Sequence, residues 1–157
     1  FSIAFEAPSG RYLMDKDVAQ AVNGFLQAIG VRTNFEILEW GVFVGKLYQH
    51  NGASIMLLGL GGNTFDADSY LYAQLRTGQI SSYYSNEQLD EILDRARRES
   101  DPNKREELYF QAQRLAFAEA AVIPLYQQVD IFGVRNRVVW EPRADEKILV
   151  YEMDVVQ

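Results

Sequence analysis

The run Gly59-Leu60-Gly61-Gly62-Asn63-Thr64 closes a stretch that is apolar almost throughout. Its residue types suit one kind of chemistry: bare backbone can approach a small molecule closely and offer N–H and C=O groups as the polar contacts. Two better-known uses of such glycines are excluded by the spelling. The dinucleotide fingerprint needs Gly or Ala where Thr64 stands, and a Walker loop needs a Gly-Lys-Ser/Thr that does not follow. A flexible turn is the plainer alternative.

The other chemistry-bearing residues are isolated. His50, the sole histidine, lies in the polar turn Tyr48-Gln49-His50-Asn51-Gly52, and the chain has no Gly-x-Ser-x-Gly elbow to pair with it, so a surface role is expected. Asp66 and Asp68 are two carboxylates without a third ligand, and helix capping accounts for Asp66 as well as a metal would. Glu36 and Glu39 read as the solvated face of a strand. Trp40 follows Glu39 at a strand-to-helix junction, where it is either core or the wall of a cleft; buried aromatic area favours core. With no cysteine, disulfides and thiolate chemistry are excluded. No catalytic residue, metal site or cofactor is assigned.

The elements that must position these residues follow from periodicity. Phe1, Ile3 and Phe5 share one face of a strand, and Pro8-Ser9-Gly10 supplies a turn. Val18, Val22, Phe25, Leu26 and Ile29 recur at helical spacing over residues 15–29, with Gly30 as the left-handed residue that ends the helix. Val31, Thr33, Phe35 and Ile37 alternate with polar residues, giving a β-α-β unit with a right-handed crossover if the strands are parallel. A short helix is expected over 40–49. Residues 54–60 are taken as the central strand, covered on both faces. Asp66 caps a further helix to about residue 75. Ser85 and Gln88 form a capping box for a helix striped by Leu89, Ile92, Leu93 and Ala96, with Glu91–Arg95 and Asp94–Arg98 as ion pairs on its outer face. Asp101 and Pro102 open the next helix, which runs to about residue 120 with Leu108, Ala112, Leu115 and Ala116 inward. Residues 122–134 and 148–153 read as later strands.

Bulk properties limit the function classes. The chain of 157 residues is long enough for one domain with a core, and 48% apolar with 24% charged residues is the balance of a soluble globular protein. A net charge of −7 opposes binding to nucleic acid, which needs clustered Lys and Arg. The longest nearly apolar stretch, 55–62, is too short to span a membrane. The chain opens on Phe1 with no initiator Met or signal peptide, as expected of a mature or excised fragment.

Four segments, APSGRYLMDKDVAQAV, GFLQAIGVRTNFEILEWGVFVGKL, YSNEQLDEILDRARRESDPNKREELYFQAQ and VIPLYQQ, resemble in order and spacing the C-terminal part of family 5 solute-binding proteins. These are the extracytoplasmic dipeptide-, oligopeptide- and nickel-binding components of ABC importers. The resemblance covers essentially the whole chain but only part of a family member. It implies an α/β fold, a type II periplasmic-binding-protein-like lobe with a mixed sheet flanked by helices, and residues 1–157 as a single C-terminal ligand-binding lobe. The implied partners are a small peptide or peptide-like solute, the ABC permease subunits and an N-terminal lobe of the same protein. The implied location is periplasmic or extracellular, with a membrane tether in a Gram-positive cell.

The resemblance also shifts Trp40 toward a ligand-lining role, because the family's Glu-Trp borders the cleft. Peptide-binding members then carry Gly-Trp and, three residues on, an Asp that pairs with the peptide ammonium. Leu60 and Asn63 stand at those positions here, and an amide cannot supply the full charge of that contact. The segment Asn63-Thr64-Phe65-Asp66-Ala67-Asp68 and the tail Pro142-Arg143-Ala144-Asp145 are more similar to the glutathione-binding branch, while the nickel branch gains nothing from His50. The expected cleft residues are Trp40, Leu60, Gly61, Gly62, Asn63 and Thr64. A ligand-sensing module of a regulator and a hydrolase using paired carboxylates are the alternatives.

Overall fold

The computed structural model describes residues 1–61 and 64–156. Its N-terminal layer is a three-stranded parallel sheet in the order β2-β1-β3, formed by β1 (Ser2–Ser9), β2 (Arg32–Glu39) and β3 (Ile55–Met56). β1 and β2 pair along their whole length, from Ser2↔Arg32 to Ser9↔Glu39. β3 joins the other side of β1 at Phe5↔Ile55 and Glu6↔Met56, and one further bond runs from the Leu57 N–H to the Glu6 carbonyl at 3.0 Å.

The central strand is therefore β1, not residues 54–60. From Phe5 to Pro8 every residue of β1 is buried. Phe5 and Ala7 face α1 (Asp15–Ala28), where Phe5 stacks on Phe35 at 5.0 Å and packs with Ala19, Val22, Leu26 and Ile55. Fully burying a side chain such as Phe5 contributes about 1.5–3 kcal/mol. Glu6 points the other way, toward α2 (Trp40–Tyr48), where its carboxylate accepts from the Lys46 ammonium and from the Ala53 N–H at 3.1 Å. A charge satisfied in this way sits inside a sheet while making the sequence look solvent-facing. β3 is short: among the described residues no backbone bond to β1 continues past Leu57.

The helix ends follow local rules. The Gly30 N–H bonds to the Gln27 carbonyl and the Val31 N–H to that of Leu26, each at 3.0 Å, closing α1 with Gly30 at φ 88°. The same pair of bonds closes α2 around His50 (φ 54°) and α5 around Ala120 (φ 53°), so His50 occupies a backbone position that glycine would fill more cheaply.

The second layer is helical: α3 (Asp68–Leu75), α4 (Glu87–Arg98) and α5 (Pro102–Ala118) bury Leu75, Leu89, Leu93, Ala96, Ala112 and Ala116 together. Asp101 caps α5 as expected, accepting from the Asn103 and Lys104 N–H groups at 3.0 and 3.1 Å. α4 is capped one residue later than its spelling suggests. Asn86, not Ser85, accepts from the Leu89 N–H at 3.0 Å, which moves Gln88 out of capping-box register. Asp94 pairs with Arg76 at 3.3 Å in place of the expected Arg98.

Residues 122–134 form no strand. An extended segment becomes a strand only where a neighbour supplies ladder partners, and among the described residues none does; Ile131 is 92% exposed. The tail instead holds a short antiparallel pair, β4 (Val138–Val139) with β5 (Asp154–Val155), and a 3-10 turn at Val150–Glu152 where a strand was expected. The whole is an α/β architecture with helices flanking a small sheet. Among the described residues, no helix is long and apolar enough to cross a membrane.

Candidate functional site

In a parallel sheet ordered 2-1-3, the connection leaving β1 turns to one side and the chain entering β3 arrives on the other. The carboxyl ends of β1 and β3 thus bound a crevice, the usual ligand position in open α/β sheets. Three segments emerge at this edge: Gly10-Arg11-Tyr12 after β1, Trp40 after β2, and Leu58-Gly59-Leu60-Gly61 after β3.

Tyr12 ties them together. Its hydroxyl donates to the Gly59 carbonyl at 2.9 Å, and its ring meets Trp40 edge-on at 6.0 Å. Burial pushes the Tyr12 phenol above its ordinary value, against the opposing effect of the Gly59 bond, so the hydroxyl stays protonated as the donor. Gly59 is small for a steric reason: a Cβ there would lie 2.8 Å from Tyr12 Cε1. Arg11 places its guanidinium carbon 5.3 Å from the Tyr12 ring centroid and 5.5 Å from that of Trp40.

Both carboxylates at this edge are engaged by backbone. Asp15 accepts from the N–H groups of Arg11 and Lys16 at 2.9 Å and of Tyr12 at 3.2 Å. Burial pushes the Asp15 carboxyl up, but these bonds more than reverse it and leave the group below its ordinary value. Glu39, expected to be a solvated strand residue, caps α2 by accepting from Gly41 N–H at 2.8 Å and Val42 N–H at 3.3 Å. That cap fixes where Trp40, the first residue of α2, begins.

Of the residues expected in the cleft, Trp40 is half-buried, stacked against Phe43 at 6.0 Å. Leu60 is half exposed, Gly61 is exposed with no atom within 4 Å of where a Cβ would stand, and Thr64 is exposed in a bend. Gly62 and Asn63 lie outside the described residues. Tyr12 therefore links Trp40 with the Gly59 end of the glycine run. Arg11 and Tyr12 were missed because they follow β1, and their signal was legible only once β1 is placed at the sheet centre.

The far end of the loop is anchored separately. Asp66 receives Arg105 through both guanidinium arms, one at 2.8 Å, and also accepts from the Asp68 N–H at 2.8 Å. The Arg105 hydrogen bond holds the Asp66 carboxyl below its ordinary value. Asp68 pairs with Arg97 at 3.0 Å and accepts from the Tyr109 hydroxyl at 3.2 Å, and burial beside Asp68 pushes that phenol up to about 12. The two carboxylates are thus each tied to an arginine, not aimed at one another as an acid–base pair. His50 stacks on Tyr83 at 4.9 Å, remote in chain position from either carboxylate. An open apolar groove of about 430 Å³, lined by Leu71, Leu75, Ala116, Phe117 and Val122 among others, lies between α3, α5 and the segment after α5 and shares no residue with the strand-end site.

No family model matches the chain. Di/tripeptide-binding protein 2 of Pseudomonas aeruginosa is 31% identical over 113 residues, which cover 69% of this chain and 21% of that protein. Di/tripeptide-binding protein 4 of the same organism is 30% identical over 128 residues, 77% of this chain and 23% of that protein. The homologues of this chain are peptide-binding proteins. This chain spans about a fifth of the length of these peptide-binding relatives. Among solved structures, the dipeptide binding protein of Pseudoalteromonas sp. SM9913 in complex with Met-Leu superposes with a TM-score of 0.68 at 23% identity, over 77% of this chain and 25% of that one. The structure of HbpA2 from Haemophilus parasuis matches with a TM-score of 0.78 at 16% identity, over 100% of this chain and 32% of that one. The fold is that of part of a periplasmic binding protein.

Proposed function

We propose that this chain is the C-terminal ligand-binding lobe of the substrate-binding component of an ABC importer, capturing a small peptide or peptide-like solute outside the cytoplasm and passing it to a permease. The observation that carries the reading is the grouping at the strand ends: exposed glycine backbone at Gly61, the half-exposed apolar side chain of Leu60 and the half-buried indole of Trp40, joined through Tyr12. Such a surface offers main-chain polar groups beside apolar area, the combination a peptide backbone needs. Leu60, Gly61, Thr64 and Trp40, with Gly62 and Asn63 between them in sequence, form the proposed wall.

The second wall belongs to an upstream lobe of the same protein, and the ligand binds the closed arrangement of both better than the open one, shifting the population toward closure. The peptide-binding names of the relatives and the size difference from them support this division. A periplasmic or extracellular location fits such a receptor.

Titration calorimetry tests the proposal with Met-Leu, tri-alanine and glutathione as probes. The complete receptor, this lobe joined to its upstream lobe, binds at least one probe with micromolar affinity or better, whereas residues 1–157 alone give little heat because half the burial and all of the closure are missing. Binding of none by the complete receptor refutes the receptor reading, and submicromolar binding by the lobe alone refutes the two-walled site.

A further inference from the structure

The chain spells Asn-Gly twice, at Asn23-Gly24 and at Asn51-Gly52. The dipeptide carries its own chemistry, because glycine puts no side chain between its backbone nitrogen and the amide carbon of the asparagine before it. The fold treats the two pairs differently. Asn23 and Gly24 lie inside α1, and the Asn23 side chain accepts from the Thr33 hydroxyl. Helical backbone fixes that glycine nitrogen in the hydrogen-bonded ladder. Asn51 is exposed and Gly52 half-buried, in the link between α2 and β3, where neither belongs to a helix or a strand.

Packing demands glycine at the second pair. A Cβ on residue 52 would overlap Met56 Sδ and stand 3.1 Å from the Tyr83 hydroxyl. That hydroxyl accepts from the Gly52 N–H at 3.0 Å and donates to the Leu47 carbonyl at 3.0 Å, while the Tyr83 ring stacks on His50. On the other side, the Asn51 N–H is tied to the Lys46 carbonyl at 3.0 Å. The reactive nitrogen is thus restrained by one neutral hydrogen bond. An oxygen that accepts from an N–H favours the protonated amide over its anion, and the anion is the form that attacks.

We propose that Asn51-Gly52 is a self-modification site, where asparagine becomes aspartate or isoaspartate without an enzyme, and that the Tyr83 hydroxyl is the clasp that sets its rate. Hydroxide removes the Gly52 amide proton, and the nitrogen forms a bond to Asn51 Cγ. The Cγ–Nδ2 bond breaks, and the departing nitrogen takes a proton from water and leaves as ammonia. Water then opens the resulting succinimide at either carbonyl. Cleavage of the new N–Cγ bond gives aspartate; cleavage of the original peptide bond gives isoaspartate, whose main chain runs through Cβ and Cγ. Both products add a negative charge. Isoaspartate also lengthens the link into β3 just ahead of Ala53, whose N–H donates to the Glu6 carboxylate at 3.1 Å. The inference uses none of the residues of the proposed ligand wall and stands apart from the receptor reading.

The test incubates the complete receptor, its Tyr83→Phe variant and a free peptide of residues 46–56 at mildly alkaline pH. Peptide mapping by mass spectrometry, with electron-transfer fragmentation to separate the two products, follows each asparagine. Asn51 is converted in all three samples, and Asn23 stays intact in both proteins. The Tyr83→Phe protein reacts about two- to tenfold faster than the parent, the worth of one neutral hydrogen bond, and the peptide reacts at least as fast as the variant. Asn51→Gln, which needs a larger ring, removes the products. An Asn51 that stays intact in the Tyr83→Phe protein, or an Asn23 that reacts ahead of Asn51 in the parent, overturns the site. A parent that reacts as fast as the variant overturns the clasp. If Tyr83→Phe loosens the whole fold, Asn23 reacts in that protein too; parent and peptide are then compared, and equal rates overturn the clasp.

Discussion

Replacing Gly59 with Ala isolates the contact on which the crevice depends. The new methyl carbon would stand 2.8 Å from Tyr12 Cε1, 3.0 Å from Cδ1 and 3.1 Å from Cζ. These are ring atoms, not the tip of a flexible chain, and Gly59 does not use the left-handed backbone, so the effect is steric and not conformational. Relief requires the Tyr12 ring to swing outward. That forfeits the hydroxyl bond to the Gly59 carbonyl, worth about 0.5–1.5 kcal/mol, and the edge contact with Trp40, worth about 0.5–1.5 kcal/mol. The expected cost is about 1–3 kcal/mol, the usual range for overpacking. Urea unfolding followed by tryptophan fluorescence measures it, and a second set in a Tyr12→Ala background completes a double-mutant cycle. With the ring gone the same methyl costs less than about 0.5 kcal/mol, giving a coupling of about 1 kcal/mol or more. A small cost in the parent, or the same cost in both backgrounds, refutes the argument that Tyr12 dictates glycine here.

Four further outcomes follow from named contacts. Arg105→Ala leaves Asp66 without its partner and lowers stability by about 1–2 kcal/mol, discounted for the partial exposure of both groups, with increased hydrogen exchange at the start of α3 as the local readout. Asn86→Ala costs about 1 kcal/mol in a urea midpoint series, whereas Ser85→Ala is nearly neutral. Ala120→Gly raises the unfolding midpoint by the equivalent of about 1 kcal/mol, because it removes a side chain from a left-handed position. The Arg143 hydrogen bond, assisted by Lys147, brings the Asp145 carboxyl from 3.8 down to about 2. A depressed carboxylate contributes stability that is fully present above pH 3.8 and lost as the pH falls through about 2, so Arg143→Ala flattens the acid limb of the stability profile in that window.

Helices whose ends carry strong local chemistry were legible in the sequence. Asp101-Pro102 and Gly30 fix α5 and α1 because a cap and a left-handed residue act within one turn. The apolar stripe of α4 was legible too, though its cap moved from Ser85 to Asn86, since both residue types satisfy the same N–H groups and only tertiary packing chooses between them. The sheet order was not. β1 is spelled with Glu6 in its middle, and nothing local reveals that Lys46 and the Ala53 N–H neutralise that charge from elsewhere in the chain. The same blindness hid the site's connection, because Arg11 and Tyr12 meet Trp40 and Gly59 only through that strand order. Residues 122–134 were misread for the opposite reason: their pattern suits a strand, and a strand is a property of two segments.

The register of β1 has a bearing on how the nascent chain matures. Phe5 must wait for Ile55 to be synthesised before the third strand can dock, so the sheet depends on contacts distant along the chain. The hairpin of α4 and α5, with only Glu99, Ser100 and Asp101 between its helices, has no such delay. Two halves thus assemble on different clocks, and the bond from the Tyr83 hydroxyl to the Leu47 carbonyl, which joins the approach to α4 with the end of α2, can latch only after both stand.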